Sequence, residues 1–238
     1  VLFENEYNLS PDPALRRAAF SAFSAVLRHY QNTIAALYNA EVQQQKTLAG
    51  LRGYASVIDY LLDGQKVDRA LYDRQIDVIL TELAPHMRRY ARLLQKAHGL
   101  ERMTFADLKI SLDPDYDPQM SIDEAKAILI KALSVLGPDY RQGIEQAFAE
   151  RWIDFAQNAG KMTGGFCASP YRVHGYILLS WTSHLSEVFT LAHELGHAMH
   201  SYYSDGAQPY VTAQYPIFLA EIASTVNEII LTKHLLAT

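Results

Sequence analysis

The residues with recognisable chemistry lie in one stretch, FTLAHELGHAMHSYY, at positions 189–203. It contains the pattern His-Glu-x-x-His as His193, Glu194 and His197. On a helix, two histidines four positions apart lie on the same face, so their imidazole nitrogens can bind one small ion. Zinc accepts imidazole and carboxylate ligands and leaves one position for water, on which Glu194 could act. The stretch therefore predicts a catalytic site with one Zn²⁺ per chain.

A catalytic zinc normally has three protein ligands, and without a third the two histidines could be an ordinary hydrogen-bonded pair. A third histidine in the spacing H-E-x-x-H-x-x-G-x-x-H is excluded, because Tyr203 occupies its position. The remaining candidates are Glu221 and Glu228, on a predicted helix farther along the chain. Glu221 lies in the apolar run FLAEIAST, where an unpaired charge would be costly to bury. This setting favours Glu221 as the ligand.

Ser224 and Glu228 follow Glu221 by three and seven positions and share its helical face. Such groups can hold the free nitrogen of a ligating imidazole, so we predict both as outer residues of the site. For Glu228 the alternative is a salt bridge at the surface or the edge of the core.

Glycines interrupt the segment NAGKMTGGFCASPYRVHGYILLSW, residues 158–181, in which GGFCA and YILLSW are predicted strands. Glycine in a strand often marks the close approach of another backbone. Beside a metal site, such an edge strand could pair with an extended peptide. An ordinary β-hairpin with a flexible loop is the alternative. His200 could contact substrate or be a structural histidine.

The rest of the chain is predicted to be mainly helical, with apolar residues at helical spacing. Asp12-Pro13 is a typical helix start, and Ser121 with Glu124 forms a capping box. The predicted elements are a long helix from Pro13 to Gly50, helices at 56–64, 68–97 with an interruption at Pro85, 121–136 and 139–150, a strand at 105–112, a helix capped by Ser183 that extends to Tyr202, and a final helix from Ile217.

Composition excludes several classes of protein. The net charge is −5 and no basic block exists, which argues against a nucleic-acid partner. The single cysteine, Cys167, excludes an internal disulfide framework and suits a reducing compartment. No apolar run of membrane-spanning length and no signal-peptide pattern is present, so we predict no membrane association and a cytoplasmic location. The first residue is not Met, and we expect this chain to be part of a longer protein.

The segments GKMTGGFC, YILLSW, FTLAHELGHAMHSYY and QPYVTAQYPIFLAEIASTVNE resemble the M3 family of zinc oligopeptidases, particularly oligoendopeptidase F. Upstream, RRAAFSAF, YQNTIAALYNAEV and LRGYASVIDYLLDG match the layout of the same family. The resemblance implies a mainly α fold, in which a body of long helices and a small β-sheet surround a zincin-type core that lines a deep channel. It also implies cleavage within short oligopeptides.

The same resemblance implies roles for individual residues. These are His193, His197 and Glu221 as zinc ligands, Glu194 as the general base, and substrate contacts by Gly164, Gly165, Phe166 and Cys167 on a strand along the channel. Residues 1–155 are expected to be a helical support and 156–238 the zinc-binding region, both within one larger peptidase domain. Family members carry a His- and Tyr-rich segment farther on, so the residue that stabilises the oxyanion is expected beyond Thr238.

Other interpretations remain open. A zinc carboxypeptidase or aminopeptidase would share the ligands but recognise a peptide terminus. A cysteine hydrolase would use Cys167 with His174, although no orienting acid is evident near them. A non-catalytic helical binding module would bind no zinc. Calcium is disfavoured at Asp113, Asp115 and Asp117, because the glycine and final glutamate of a calcium loop are absent.

Overall fold

A computed structural model describes Phe3 and residues 6–113, 116, 118–162 and 164–238. Over these residues the protein is mainly helical with a small sheet, as predicted. The chain divides into two compact units, Val1–Tyr116 and Asp117–Thr238. We expect residues 1–155 to support the site and residues 156–238 to bind zinc. The two compact units do not test this division by role, so it stays a prediction. Asp115 and Asp117 lie outside the described residues.

The first unit contains five α-helices among its described residues: α1 (Pro13–His29), α2 (Gln31–Leu51), α3 (Val57–Gln65), α4 (Arg69–Val78) and α5 (Ala84–Ala97). The predicted start of α1 is confirmed, because the Asp12 carboxylate accepts the N–H of Ala14 at 2.8 Å and Pro13 occupies the first helical position.

Two interruptions divide the long helical patterns. The single helix predicted from Pro13 to Gly50 is wrong: it breaks at Tyr30, whose φ of −98° and ψ of 0° are not helical. Neither glycine nor proline marks this break in the sequence. The predicted interruption at Pro85 is confirmed, because a π-helical turn at Ile79–Leu83 precedes α5. Proline lacks a backbone N–H, so the α-helical hydrogen-bond ladder cannot continue unchanged through it.

The strand predicted from the segment FADLKISL is wrong, because the segment begins with a 3₁₀ turn at Phe105–Asp107. Thr104 and Asp107 form a capping box at this turn. Burial disfavours the ionised form of Asp107, but hydrogen bonds from Thr104, Arg17 and Arg16 outweigh burial and hold its pKa well below the ordinary value. This buried polar cluster overrides the strand propensity of the segment.

The second unit contains the following helices and strands: α6 (Ile122–Leu133), α7 (Pro138–Ala149), β1 (Ile153–Asp154), β2 (Phe166–Ala168), β3 (Tyr176–Leu178), α8 (Leu185–Ala207), α9 (Tyr210–Ala213) and α10 (Ile217–Ala237). The predicted capping box of α6 is confirmed, with the Ser121 N–H donating to the Glu124 carboxylate at 2.8 Å.

The three strands form one sheet in the order β1-β3-β2. β2 and β3, both predicted, pair antiparallel with Cys167 opposite Ile177. β1 was not predicted; it pairs parallel to β3 with Ile153 opposite Ile177. β2 is therefore an edge strand among the described residues.

Helix α8 crosses the core of the second unit. Its fully buried residues Leu191, Leu195 and Met199 belong to the main apolar cluster, together with residues of α6, α7 and α10. The predicted cap at Ser183 is wrong: the N-cap is His184, and Ser183 has a φ of +65°. The helix also ends at Ala207 rather than Tyr202.

None of the helices among the described residues combines the length and apolar character that crossing a membrane would require.

Candidate metal centre

His193 and His197 lie one turn apart on α8, as their spacing predicts. Their Nε2 atoms are 3.0 Å apart, and both rings are partly exposed. Burial is the largest cause that lowers the pKa of His197, and the neighbouring His193 lowers it further. A neutral imidazole presents a lone pair, which is the form that binds a metal.

Glu221 extends from α10 to the same point. Its Oε2 atom lies 3.3 Å from Nε2 of His193 and 3.7 Å from Nε2 of His197. One ligand atom from each of the three residues lies within 4.8 Å of the others. Two imidazoles and one carboxylate that leave an open side match the ligand set of a catalytic zinc site. The residues present therefore fit a zinc ion.

Gly196 allows α10 to approach α8 closely enough to bring Glu221 to this point. A Cβ atom at Gly196 would lie 2.7 Å from Cα of Ser224 and 2.9 Å from the carbonyl oxygen of Ala223. Both are backbone atoms, so a flexible side chain cannot move away to make room. The sequence interpretation missed this residue, although a glycine inside a helical pattern often has a packing reason.

We predict that Gly196→Ala lowers both stability and zinc affinity, because α10 must move away and take Glu221 with it. Overpacking of this kind costs about 1–3 kcal/mol in the free energy of unfolding. Gly206→Ala, on the same helix with nothing within 4 Å of the new methyl group, should be neutral or stabilising. Denaturant unfolding and zinc titration of both variants provide the measurement. A Gly196→Ala protein with wild-type stability would contradict the close helix contact.

Asn227 ties the same two helices together next to His193. Its side-chain Nδ2 donates to the carbonyl of Ala192 at 3.0 Å, and its Oδ1 accepts from the Tyr140 hydroxyl at 2.8 Å. Asn227 is 1% exposed, so these bonds satisfy groups that have no access to solvent. Burial raises the pKa of Tyr140 to about 12, against an opposing effect of the bond to Asn227. The sequence interpretation missed both residues.

The structure places the two predicted outer residues against the ligands. The Oε1 atom of Glu228 lies 2.5 Å from Nδ1 of His193. Because a carboxylate only accepts, this bond requires a hydrogen on Nδ1 and leaves the Nε2 lone pair free for a metal. Ser224 donates from its hydroxyl to Oε2 of Glu221 at 3.0 Å. Glu228 thus pairs with a histidine of the site rather than with a surface cation.

We predict that Glu228→Gln lowers zinc affinity about 10- to 100-fold, the usual effect of changing a group that orients a ligand. The amide keeps the shape of the side chain but loses the negative charge that favours the Nδ1–H tautomer. Competition with a zinc chelator would measure the change, with the surface variant Glu145→Gln as the control. An unchanged zinc dissociation constant would contradict the assigned role.

Glu194 lies beside the ligands on the buried side of α8 and is 6% exposed. Its Oε2 atom has no hydrogen-bond partner among the described residues. Burial is the main cause that raises the pKa of Glu194; Glu221 raises it further, while His193 lowers it. A carboxylate with a free oxygen and a raised pKa has the properties of a general base.

The edge strand β2 begins directly over Glu194. A Cβ atom at Gly165 would lie 2.9 Å from Cδ2 of Leu179 and 3.3 Å from Oε1 of Glu194, so this position has no room for a side chain. Gly164 has a φ of +82°, which favours glycine. Phe166 is exposed, whereas Cys167 is half-buried on the side of the ligands.

A cleft of about 400 Å³ adjoins the ligands. Among the described residues it is lined by His197 and Glu221 and by Cys167, Ser169, Ser201, Asp205, Ala213, Gln214, Tyr215, Ile217 and Ala220.

His200 is not among the lining residues but stacks on Tyr215, with ring centroids 3.9 Å apart. Burial lowers the pKa of His200. Tyr215 and Asp205 are cleft residues that the sequence interpretation missed, because nothing in their local pattern links them to the metal-binding helix.

Cys167 does not have the surroundings of a nucleophile. Burial is the main cause that raises the pKa of its thiol, to about 11. Its polar contact among the described residues is the hydroxyl of Ser169, at 3.6 Å. His174 instead stacks on Trp152 and contacts the ring of Tyr176 in a tilted arrangement. The structure therefore does not support a Cys167–His174 hydrolase.

Comparisons with known proteins identify the family to which the chain belongs. The profile of peptidase family M3 matches residues 7–238. Oligopeptidase PepF of Bacillus subtilis is 33% identical over 227 residues, which cover 95% of this chain and 34% of that protein. An oligoendopeptidase F homolog of Lactococcus lactis is 35% identical over 227 residues, covering 95% of this chain and 37% of its own length.

Among solved structures, an oligoendopeptidase F from Enterococcus faecium superimposes with a TM-score of 0.62 at 26% identity, over 100% of this chain and 34% of that one. The chain thus spans just over a third of the length of the curated relatives that it matches.

Proposed function

Because the chain belongs to peptidase family M3, we propose that it carries the zinc-binding part of an endopeptidase that cleaves short oligopeptides. The observation that supports this most directly is the convergence of His193, His197 and Glu221 beside the free carboxylate oxygen of Glu194. The single cysteine is in keeping with peptide turnover in the cytoplasm.

His193, His197 and Glu221 would hold one zinc ion. A bound zinc ion lowers the pKa of a water ligand and polarises the carbonyl of the bond to be cleaved. Glu228 holds the ring of His193 in the tautomer that presents Nε2, and Ser224 holds the carboxylate of Glu221. These contacts limit the movement of the ligands and so support a site with fixed geometry.

Glu194 would act as the general base. Its carboxylate takes a proton from the attacking water and returns that proton to the amine nitrogen as the peptide bond breaks. Burial raises the pKa of Glu194, which makes it a better proton acceptor than an exposed glutamate. Among the buried side-chain atoms of the described residues, Oε2 of Glu194 is the only carboxylate oxygen without a hydrogen-bond partner.

The peptide would lie along β2. β3 occupies one edge of this strand, and its other edge has no strand partner among the described residues. An extended peptide added to that edge would pass next to Glu194, because Gly165 places the backbone there without an intervening side chain. Gly164, Gly165, Phe166 and Cys167 would then contact the substrate, and His200 would act through Tyr215.

The test uses the purified full-length protein. Elemental analysis should give one zinc per chain, and peptides blocked at both ends should be cut internally. A chelator should abolish cleavage and added zinc should restore it. Cleavage of peptides with free ends alone would indicate an exopeptidase, and a protein without bound zinc would indicate a binding module.

A further inference from the structure

The cleft beside the ligands extends along α8 toward the end of the helix. Ser201 and Asp205 follow His197 at intervals of four residues, and all three line the cleft. At a rise of about 1.5 Å per residue, Asp205 lies roughly 12 Å along the helix axis from His197. The cleft therefore connects the metal ligands to a carboxylate about two helical turns away.

Asp205 occupies an unfavourable place for an acidic residue. It is 8% exposed and lies in the last turn of α8, where the helix dipole is negative and favours cations. Its Oδ2 atom accepts the backbone N–H of Arg172 at 3.0 Å, and no basic side chain forms an ion pair with it among the described residues. Burying a carboxylate without a counter-charge is costly, so a cation bound in the cleft would stabilise Asp205.

The other polar groups in this part of the cleft are neutral. Burial raises the pKa of the Cys167 thiol to about 11, and burial is also the main cause that raises the pKa of Tyr215. The Tyr215 hydroxyl lies 2.6 Å from the hydroxyl of Ser201. No lysine or arginine is among the described lining residues. Away from the metal ligands, Asp205 provides the only carboxylate of this described lining.

We propose that this cleft is a specificity subsite that binds the side chain of a lysine or arginine in the peptide, next to the bond that is cleaved. The inference rests on the proposed endopeptidase function. Asp205 supplies the counter-charge, and the hydroxyls of Ser201 and Tyr215 accept hydrogen bonds from the cationic group. The peptide backbone beside the metal centre would cover part of the distance to Asp205, and the long, flexible side chain of a lysine or arginine would bring its cationic group to the carboxylate.

The alternative is that Asp205 has only a structural role and does not bind substrate. Arg172 has a φ of +57°, and the bond to Asp205 could serve only to hold this strained loop. An asparagine at position 205 retains an oxygen that accepts the Arg172 N–H but removes the charge. Asp205→Asn therefore separates electrostatic recognition from support of the loop.

The experiment measures kcat/KM of the full-length protein for blocked peptides in which one position on either side of the cleaved bond carries lysine or Nε-acetyl-lysine. The wild type should prefer lysine over its acetylated form at one position by about 30-fold or more, the usual effect of losing one partner of a buried charge pair. Asp205→Asn should remove most of this ratio, and Asp205→Glu should retain part of it. Asp139→Asn, which removes an exposed acid of the same unit, should leave the ratio unchanged.

Binding provides a second measurement that does not depend on turnover. Calorimetry with the zinc-loaded Glu194→Gln protein compares the lysine peptide with its acetylated form. A preference for lysine that Asp205→Asn removes would support the subsite even if no peptide were hydrolysed, which would contradict only the endopeptidase function. Equal binding of the two peptides, or a preference that persists in Asp205→Asn, would overturn the proposal.

Discussion

Replacing Glu194 by Gln is expected to leave zinc bound and to lower peptide hydrolysis by about 10²- to 10⁴-fold, the range that a general base contributes. The amide has nearly the same shape as the carboxylate but cannot accept a proton from water. Because Glu194 is not one of the three converging ligand residues, the zinc content should stay at the wild-type level. The rate constant kcat should fall, while substrate binding changes little.

The measurement combines single-turnover kinetics on a blocked peptide with zinc analysis of the same protein sample. Glu187→Gln is a matched control, because it makes the same chemical change on α8 at a residue that bonds to Thr182, outside the site. Hydrolysis at the wild-type rate by the Glu194→Gln protein would contradict its assignment as the base. Loss of zinc from this protein would mean that Glu194 belongs to the ligand set.

The second large effect is expected for Glu221→Ala, which should lose zinc. The remaining two imidazoles do not make the three-ligand site that catalytic zinc normally has. The loss in affinity should exceed the 10- to 100-fold expected for Glu228→Gln, because Glu221 contributes a ligand atom rather than an orienting bond. Activity should fall to that of the chelated protein.

Thermal unfolding with and without zinc measures this effect without relying on hydrolysis. A ligand present at 100 times its dissociation constant stabilises a folded protein by about 2.7 kcal/mol. Wild-type protein should show this stabilisation, and Glu221→Ala should not at the same zinc concentration. Glu145→Gln should respond to zinc like the wild type. Zinc-dependent stabilisation of wild-type size in Glu221→Ala would rule out Glu221 as a ligand.

Glu194→Gln and Glu221→Ala separate proton transfer from zinc binding. The first should produce a zinc-loaded protein without turnover, and the second a protein without zinc. Together with Gly196→Ala, they test whether the distance between α8 and α10 controls metal binding. A site assembled from two helices is sensitive to their packing, because small shifts move the ligands out of the geometry that zinc requires.

Local patterns predicted the secondary structure well where a few neighbouring residues decide it. The capping box of Ser121 and Glu124 and the start of α1 at Asp12 depend on hydrogen bonds that span only two or three positions. The local pattern at Phe105 predicts a strand, whereas the structure of this segment depends on bonds from Arg16 and Arg17 to Asp107, about 90 residues away along the chain. The break at Tyr30 has no marker in the sequence.

The spacing of His193, Glu194 and His197 determined by itself which face of which helix would carry the chemistry, because helical periodicity is a local property. The apolar run around Glu221 favoured it as the third ligand, although its side chain is exposed in the structure rather than buried. Only the tertiary structure decided that Gly196 and Asn227 bring this carboxylate to the histidines, and that Asp205 and Tyr215 share their cleft. Those contacts join residues that lie far apart along the chain, and they arise when α8, α10 and the sheet pack into one core, which no local pattern can specify.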